Sequence, residues 1–220
     1  MTKGLFITFE GTEGCGKTTQ INLLAERLRS LGQPCRLVRE PGGTPIGEEI
    51  RYTLKHSAQN HAMTSEAELL LMNASRAQLV REVIQPALAA GEIVLCDRFY
   101  DSTIAYQGYG RGLDLDFVRR IIAFAVGETR PHFTILLTLP VGISEARREG
   151  RQSAATFERD RMEEADRSFF LKVEEGYRMI AAAEQQRVRP VDATRSIDEV
   201  QAEIWREVQP HLARLSSERA

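Results

Sequence analysis

The glycine-rich segment at residues 6–19 reads FITFEGTEGCGKTT. It opens with an apolar, partly β-branched run that has the composition of a buried strand. From Gly11 to Thr18 it satisfies the pattern G-x-x-x-x-G-K-[ST], which is informative when it lies between a strand and a helix. A helix is predicted directly after it, because apolar residues recur at i, i+3, i+4 and i+7. These apolar residues are Ile21, Leu24, Ala25 and Leu28.

The residue types of this loop fit triphosphate chemistry. Glycines lack Cβ atoms, so the backbone can turn tightly and bring its N–H groups close to an anion. The N-terminus of the following helix adds unpaired donors and a partial positive charge. Lys17 supplies an ammonium group for the β- and γ-phosphates, and the Thr18 hydroxyl can ligate Mg²⁺. A nucleoside triphosphate is thus predicted to bind to Gly11, Thr12, Glu13, Gly14, Cys15, Gly16, Lys17, Thr18 and Thr19.

The composition is that of an ordinary globular protein. The chain has 220 residues, of which 42% are hydrophobic and 27% are charged. These values suit one α/β domain over residues 1–220, with a small mobile lid. The formal net charge of −2 gives no sign of a nucleic-acid-binding surface, so we expect no nucleic-acid partner.

Cysteine usage and hydropathy predict where the protein works. The three cysteines have no C-x-x-C spacing and indicate neither a disulfide framework nor a zinc site. No apolar run approaches the ~18 residues of a membrane span. The N-terminus runs straight into the first strand, which leaves no room for a signal peptide. We therefore expect a cytoplasmic protein without a membrane partner.

Strand-like and helical segments alternate along the chain. Further strands are predicted at residues 35–39, 93–96, 132–139 and 188–191. Repeated β-α units with buried strands predict a parallel sheet with helices on both faces. Ligands bind at the carboxyl ends of the strands in such sheets. The loops expected to converge there are those after Glu10, Arg39, Cys96 and Leu139.

Two helix starts carry a capping-box signature. A helical pattern extends over residues 65–88, where Ser65 is followed three residues later by Glu68. The C-terminal helix shows the same spacing, with Ser196 and Glu199. A shorter helix is predicted over residues 46–54.

An acid and a base follow the third predicted strand. Asp97 stands where P-loop proteins organise Mg²⁺, and with Thr18 it is the predicted metal ligand. Arg98 comes next, where a phosphate oxygen could accept a bidentate hydrogen bond from it. A simple structural ion pair between Asp97 and Arg98 is the alternative interpretation.

The stretch around Arg98 carries a resemblance to a known family. Residues 97–108, DRFYDSTIAYQG, resemble the signature segment of the thymidylate kinase family. Residues 39–44, REPGGT, and residues 74–78, ASRAQ, resemble its other recurring segments. The resemblance implies the three-layer P-loop kinase fold, in which helices flank a five-stranded parallel sheet, with a short arginine-rich lid at about residues 142–163. It also implies a homodimer, which is the typical assembly of the family.

The activity that the resemblance implies is reversible transfer of the γ-phosphoryl group of ATP to dTMP, with Mg²⁺, giving dTDP for dTTP synthesis. In such a kinase Arg98 would hold the dTMP phosphate with help from Arg51 and Arg39. Glu10, at the end of the first strand, would help to place Mg²⁺ or the sugar. No covalent enzyme intermediate is expected, because phosphoryl transfer needs positioning and charge neutralisation.

The base and sugar contacts are also implied by the resemblance. Arg76 would hydrogen-bond the base, and Tyr106 would pack under the deoxyribose and disfavour a 2′-OH. Ser102 and Gln107 would line the base pocket. Together the implied substrate-binding residues are Glu10, Arg39, Pro41, Arg51, Met72, Arg76, Arg98, Ser102, Tyr106 and Gln107.

Two features depart from the family pattern. Met72 stands where relatives commonly place an aromatic residue that stacks on thymine, although its thioether can also contact a ring face. The P-loop contains no arginine, so the cation for the transition state is expected from the lid. The lid arginines are Arg147, Arg148, Arg151, Arg159 and Arg161, of which Arg151 is the first choice and Arg161 the second. The predicted catalytic residues are therefore Lys17, Arg98, Arg151 and Arg161.

Three alternatives to a thymidylate kinase remain at this stage. One is another nucleoside or nucleotide kinase on the same scaffold. Another is a switch that hydrolyses GTP, but the chain has no Asn-Lys-x-Asp segment to recognise guanine. The third is an ATPase motor or nucleic-acid-handling protein, which the near-neutral charge disfavours.

Overall fold

A computed structural model describes residues 4–57, 59–152 and 166–219. It contains a sheet of five parallel strands in the order β2-β3-β1-β4-β5. The strands are β1 (Leu5–Glu10), β2 (Cys35–Arg39), β3 (Ile93–Asp97), β4 (Phe133–Thr138) and β5 (Val188–Asp192). The predicted five-stranded parallel α/β fold is confirmed.

The described ranges contain nine α-helices and a short 3₁₀ turn at Asn60–Ala62. They are α1 (Lys17–Ser30), α2 (Pro45–Lys55), α3 (Ser65–Leu79), α4 (Gln85–Ala89), α5 (Tyr100–Thr103), α6 (Leu115–Val126), α7 (Val141–Gln152), α8 (Arg167–Ala183) and α9 (Ile197–Arg219). None of the described helices is long and apolar enough to cross a membrane.

The helix predicted over residues 65–88 is interrupted. α3 ends at Leu79, a wider π-helical segment follows at Val80–Ile84, and α4 begins at Gln85. Pro86, at the start of α4, has no N–H to donate to the preceding turn. A second π-helical segment, Ile104–Gly110, lies within the signature stretch.

The two capping predictions had different outcomes. Ser196 and Glu199 form the reciprocal box, because each backbone N–H donates to the other's side chain, at 3.0 and 3.3 Å. The prediction for α3 was wrong by one residue. Its cap is Thr64, whose Oγ1 accepts from the N–H of Ala67 at 3.2 Å. Glu68 is instead buried, with Arg111 at 3.0 Å.

Alternating side chains of the strands build a core on each face of the sheet. In β1, Phe6 joins the core under α3, α6 and α8, whereas Ile7 joins the core under α1 and α9. This two-residue period makes a three-layer molecule with β1 buried at its centre. Because all strands are parallel, the carboxyl ends of β1, β2, β3 and β4 lie at the same edge of the sheet, as predicted.

Candidate active site

The glycine-rich loop lies between β1 and α1 at this edge. Gly11, Gly14 and Gly16 all have positive φ angles, of 134°, 79° and 91°. A Cβ atom at Gly11 would lie 2.4 Å from the carbonyl oxygen of Leu137, so no larger residue fits there without a backbone shift. The Nζ of Lys17 donates to the carbonyl oxygens of Gly11 and Thr12, at 3.0 and 2.9 Å. The loop therefore holds its lysine beside the open N-terminus of α1.

A cavity of about 290 Å³ opens over this loop and is rich in positive charge. Its lining contains five basic side chains, Lys17 of the loop together with Arg39, Arg51, Lys55 and Arg98, against three carboxylates. Arg39 and Arg51 both donate to the carbonyl oxygen of Pro41, at 3.1 and 2.9 Å, which turns the two guanidinium groups to the same place. We call this the phosphate cavity, because several cations and a helix N-terminus together favour a polyanion.

Thr18 and Asp97 both line the phosphate cavity and contact each other. The Thr18 hydroxyl donates to Oδ2 of Asp97 at 3.1 Å, and Asp97 is the last residue of β3. One hydroxyl and one carboxylate suit Mg²⁺, which usually keeps several waters and binds few protein ligands together with substrate phosphates. Within the described ranges no group of three or more His, Cys, Asp or Glu residues could hold a metal ion by itself.

Arg98 lies at the border between the phosphate cavity and a second cavity. It has a φ angle of 69°, the one positive value among the described non-glycine residues. Its Nη2 donates to Oε1 of Glu13 at 2.7 Å and to the Tyr106 hydroxyl at 3.3 Å. Its Nη1 donates to Ser102 Oγ at 3.1 Å and to the Tyr177 hydroxyl at 3.3 Å. The guanidinium thus donates to four oxygen atoms of the protein at the border of the two cavities.

Glu13 of the loop is the acidic partner of Arg98. Burial raises the pKa of Glu13, but the charges of Arg98 and Lys17 and the hydrogen bond from Tyr106 outweigh it and hold the pKa at about 2. Glu13 is also tied to α7, because the Ser144 hydroxyl donates to its carbonyl oxygen at 2.6 Å. In this structure the carboxylate of Glu13 occupies one side of the Arg98 guanidinium.

The second cavity adjoins the first and is built largely from the signature stretch and α3. We call it the acceptor cavity. Of the residues predicted to bind substrate, seven line it: Pro41, Met72, Arg76, Arg98, Ser102, Tyr106 and Gln107. The other two arginines predicted to bind substrate, Arg39 and Arg51, line the phosphate cavity. The structure therefore brings these nine residues to two neighbouring cavities.

Arg76 is held by a buried ion pair. It is 2% exposed and lies 2.6 Å from Oε2 of Glu40. Its Nη1 donates to Asn73 Oδ1 at 3.0 Å, and its Nη2 donates to the Phe99 carbonyl oxygen at 3.2 Å. Burial raises the pKa of Glu40 to about 7 despite the charge of Arg76. Glu40 Oε1 has no hydrogen-bond partner among the described residues, so a ligand donor in the cavity could reach an unsatisfied acceptor.

Glu10 does not fit the predicted contact with Mg²⁺ or the sugar. Its side chain is fully buried, and it is not among the described residues that line either cavity. Its carboxylate accepts from the N–H of Phe99 at 2.8 Å and from the hydroxyls of Ser102 and Tyr177, at 2.6 and 2.9 Å. Burial and the charge of Asp101 raise its pKa to about 7. The prediction is corrected: strand β1 directs this side chain under the signature stretch. Glu10 supports Arg98 indirectly, through the hydroxyls of Ser102 and Tyr177.

The lid arginines are described only in part. Arg147 on α7 donates to the carbonyl oxygens of Gly14 and Ala193, at 3.4 and 3.1 Å, so it joins the loop to the end of β5. The side chains of Arg148 and Arg151, and residues Arg159 and Arg161, lie outside the described part of the chain.

Three residues at the site escaped the sequence analysis. Lys55 lines both cavities, Glu40 pairs with Arg76, and Tyr177 contacts Arg98 from α8. Glu40 could have been found, because it lies within the REPGGT segment already singled out. Tyr177 gave no signal, since a tyrosine on the apolar face of a helix is ordinarily part of the core.

The parallel sheet, the phosphate-binding loop after β1 and the two adjoining cavities define a P-loop kinase that acts on a small phosphorylated acceptor. The sequence model of the family described as Thymidylate kinase matches residues 9–204. The chain belongs to the thymidylate kinase family, whose members are ATP-dependent phosphotransferases. The resemblance noted in the sequence is confirmed.

Curated relatives and a solved structure agree with this assignment. The chain is 50% identical to "Thymidylate kinase" of Syntrophotalea carbinolica over 91% of its own length and 93% of the relative. It is 48% identical to "Thymidylate kinase" of Deinococcus radiodurans, covering 93% and 96% of the two chains. The crystal structure of thymidylate kinase from Ehrlichia chaffeensis matches with a TM-score of 0.74 and 33% identity, over 94% of this chain and 98% of that one.

Proposed function

We propose that this protein transfers the γ-phosphoryl group of ATP to dTMP, giving dTDP and ADP. The observation that carries the proposal is that the phosphate cavity and the acceptor cavity share Glu13, Glu40, Lys55 and Arg98. A donor triphosphate in one and an acceptor monophosphate in the other would meet at Arg98. Family membership supports ATP as the donor and dTMP as the acceptor.

On the donor side, catalysis would depend on neutralising the negative charge of the triphosphate. Lys17 and the N-terminus of α1 would neutralise the β- and γ-phosphates, while the loop backbone orients them. The acceptor phosphate oxygen would attack the γ-phosphorus in line, and Arg98 would hold that phosphate. Arg151, or Arg161 as the second choice, would add positive charge from the lid in the transition state, and closure of the lid would exclude water.

Mg²⁺ is the metal that we propose at the floor of the phosphate cavity. Thr18 and Asp97 would hold it, and it would neutralise charge on the β- and γ-phosphates. Their chemistry fits the ion, because both offer oxygen ligands beside the loop.

The acceptor side would select a thymine deoxynucleotide. Arg76, fixed by Glu40, would hydrogen-bond the base, and Met72 would contact the ring face in place of the usual aromatic residue. Ser102 and Gln107 would complete the pocket, although Gln107 Nε2 already donates to Glu68 at 2.8 Å. Arg39 and Arg51 would assist Arg98 at the phosphate.

Tyr106→Phe tests sugar selection. The Tyr106 hydroxyl donates to Glu13 Oε2 at 2.6 Å and lies against the acceptor cavity. Its loss frees space and a carboxylate oxygen for a ribose 2′-OH, so the preference for dTMP over its ribonucleotide counterpart should fall about tenfold. The measurement is kcat/KM for both acceptors. Tyr109→Phe, on the same segment, is the matched control, and an unchanged ratio in Tyr106→Phe would remove Tyr106 from sugar selection.

A homodimer is also proposed. Large apolar side chains are exposed on α3 and on α6, which packs against it. Leu70 is 57% exposed, Phe117 49% and Phe124 83%. A second copy of the chain would cover such a surface. In analytical ultracentrifugation we expect a dimer that Phe124→Ser weakens; a monomer at micromolar concentration would contradict this.

The direct test of the activity is a coupled assay of ADP release with ATP, Mg²⁺ and each nucleoside or nucleoside monophosphate in turn. Turnover should be rapid with dTMP, weaker with dUMP and negligible with ribonucleotides. Rapid turnover with an unphosphorylated deoxynucleoside would favour the alternative kinase. ADP release without any acceptor would indicate an NTPase and would refute the acceptor assignments. The cytoplasm, which holds ATP and nucleotides, is where we expect the reaction, without a nucleic-acid partner.

A further inference from the structure

We propose that Tyr177 is a positioning residue, which fixes the guanidinium of Arg98 for the acceptor phosphate together with Glu10 and Ser102. The inference rests on the proposed function, because it explains how the proposed phosphate-binding arginine is held.

The two terminal nitrogens of Arg98 face different surroundings. Nη2 is directed to Glu13 and Tyr106, which line the acceptor cavity. Nη1 is directed to the hydroxyl of Ser102, which also lines the acceptor cavity, and to the hydroxyl of Tyr177, which does not. Tyr177 is 4% exposed and is not among the described residues lining the acceptor or phosphate cavity. Tyr177 thus contacts Arg98 from outside these two cavities; it also lines a third cavity of about 740 Å³, together with Gly11 and Thr12 of the loop.

Glu10 determines how the hydroxyls of Ser102 and Tyr177 are oriented. Each hydroxyl carries a single proton. The Ser102 hydroxyl donates to Glu10 Oε2 at 2.6 Å, and the Tyr177 hydroxyl donates to the same oxygen at 2.9 Å. The two hydroxyl oxygens also lie 2.9 Å from each other, so each proton is engaged by the carboxylate or by the other hydroxyl, and both oxygens present lone pairs to Nη1 of Arg98. Glu10 thus converts two neutral hydroxyls into acceptors with a defined direction.

Helix α8 holds Tyr177 at a fixed depth. A Cβ atom at Gly176 would lie 2.9 Å from a ring carbon of Tyr109 and 3.0 Å from the Cα of Ala105. Gly176 therefore lets α8 approach the segment Ile104–Gly110 closely, and the Tyr177 hydroxyl reaches under Arg98. The edge of its ring also packs against Tyr106, with 6.3 Å between centroids.

The two terminal nitrogens of Arg98 therefore have different acceptors. Ser102 and Tyr177 hold Nη1, and Glu13 and Tyr106 hold Nη2, so the guanidinium is fixed at the border of the two cavities from both of its ends. Without the Tyr177 hydroxyl, Arg98 would keep its charge and its other hydrogen bonds, but Nη1 would lose one of its two acceptors. The guanidinium would then adopt the orientation for the phosphate for less of the time.

The experiment is a double-mutant cycle between Tyr177→Phe and Arg98→Lys, assayed at pH 8, where the Glu10 carboxyl is ionised. Tyr177→Phe keeps the ring and removes the hydroxyl. We expect it to lower kcat/KM for dTMP about tenfold with an unchanged KM for ATP. In the Arg98→Lys background the same change should cost less than about twofold, because lysine lacks the anchored nitrogen. Tyr109→Phe is the control, and thermal unfolding verifies folding of each variant.

The outcomes separate this inference from the proposed function. Equal losses from Tyr177→Phe in both backgrounds would overturn positioning through Arg98, as would no loss in the wild-type background while Arg98→Lys is impaired. In either case the kinase activity and the role of Arg98 would stand. Lack of dTMP-dependent turnover in the wild-type protein would instead refute the proposed function.

Discussion

Lys17→Ala is expected to lower kcat for phosphoryl transfer by about 10³-fold while the protein stays folded. The ammonium group, held by the carbonyl oxygens of Gly11 and Thr12, lies where the triphosphate would bind. Its removal leaves the developing charge on the γ-phosphoryl group with less neutralisation, and no neighbouring lysine of the loop can replace it. The measurement is steady-state turnover with saturating ATP and dTMP.

Lys172→Ala provides the matched control for the loss of a lysine. Lys172 lies exposed on α8, so its removal should change neither turnover nor thermal unfolding measurably. The unfolding temperature of Lys17→Ala should stay within a few degrees of the wild type. Near-normal turnover in Lys17→Ala would remove the P-loop lysine from the mechanism.

Arg98→Ala should reduce kcat/KM for dTMP by about 10³-fold and change ATP binding by less than about threefold. The selectivity follows from position, since Arg98 lies at the border where the acceptor phosphate would sit and Lys17 remains for the donor. Acceptor kinetics and equilibrium ATP binding measure the two effects separately. Equal losses for both substrates would show that Arg98 is structural.

Arg98→Ala should also change how the free energy of unfolding depends on pH in acid. The Glu13 pKa of about 2 lies below its ordinary value of 4.5, so Glu13 adds stability above pH 4.5 that is lost as the pH falls toward 2. Without Arg98 that depression should shrink, and the free energy of unfolding should fall less steeply with acid. Arg119→Ala is the control, because its ion pair with Asp116 is solvent-exposed on both sides and contributes little.

Local sequence patterns were sufficient where one short segment carries the chemistry. The loop between β1 and α1, the strand ending in Asp97 and the reciprocal cap of α9 each depend on neighbours within a few residues. The same reasoning misplaced the cap of α3, because Thr64 and Ser65 are both residue types that cap helices and tertiary packing pairs Glu68 with Arg111. It also missed the π-helical segments, which a period of 3.6 residues does not distinguish from a continuous helix.

The fold class, the nucleotide loop, the family and most side chains of the two cavities were predictable from the sequence, because contiguous motifs encode each of them. The buried partners that hold these side chains in place became visible only in the folded structure. Glu10 and Tyr177 are separated by 167 positions, and Arg76 and Glu40 by 36. Such partners meet because the parallel sheet brings distant segments to one edge, where burial makes an unpaired polar group costly. No local period or spacing records which distant group will satisfy it.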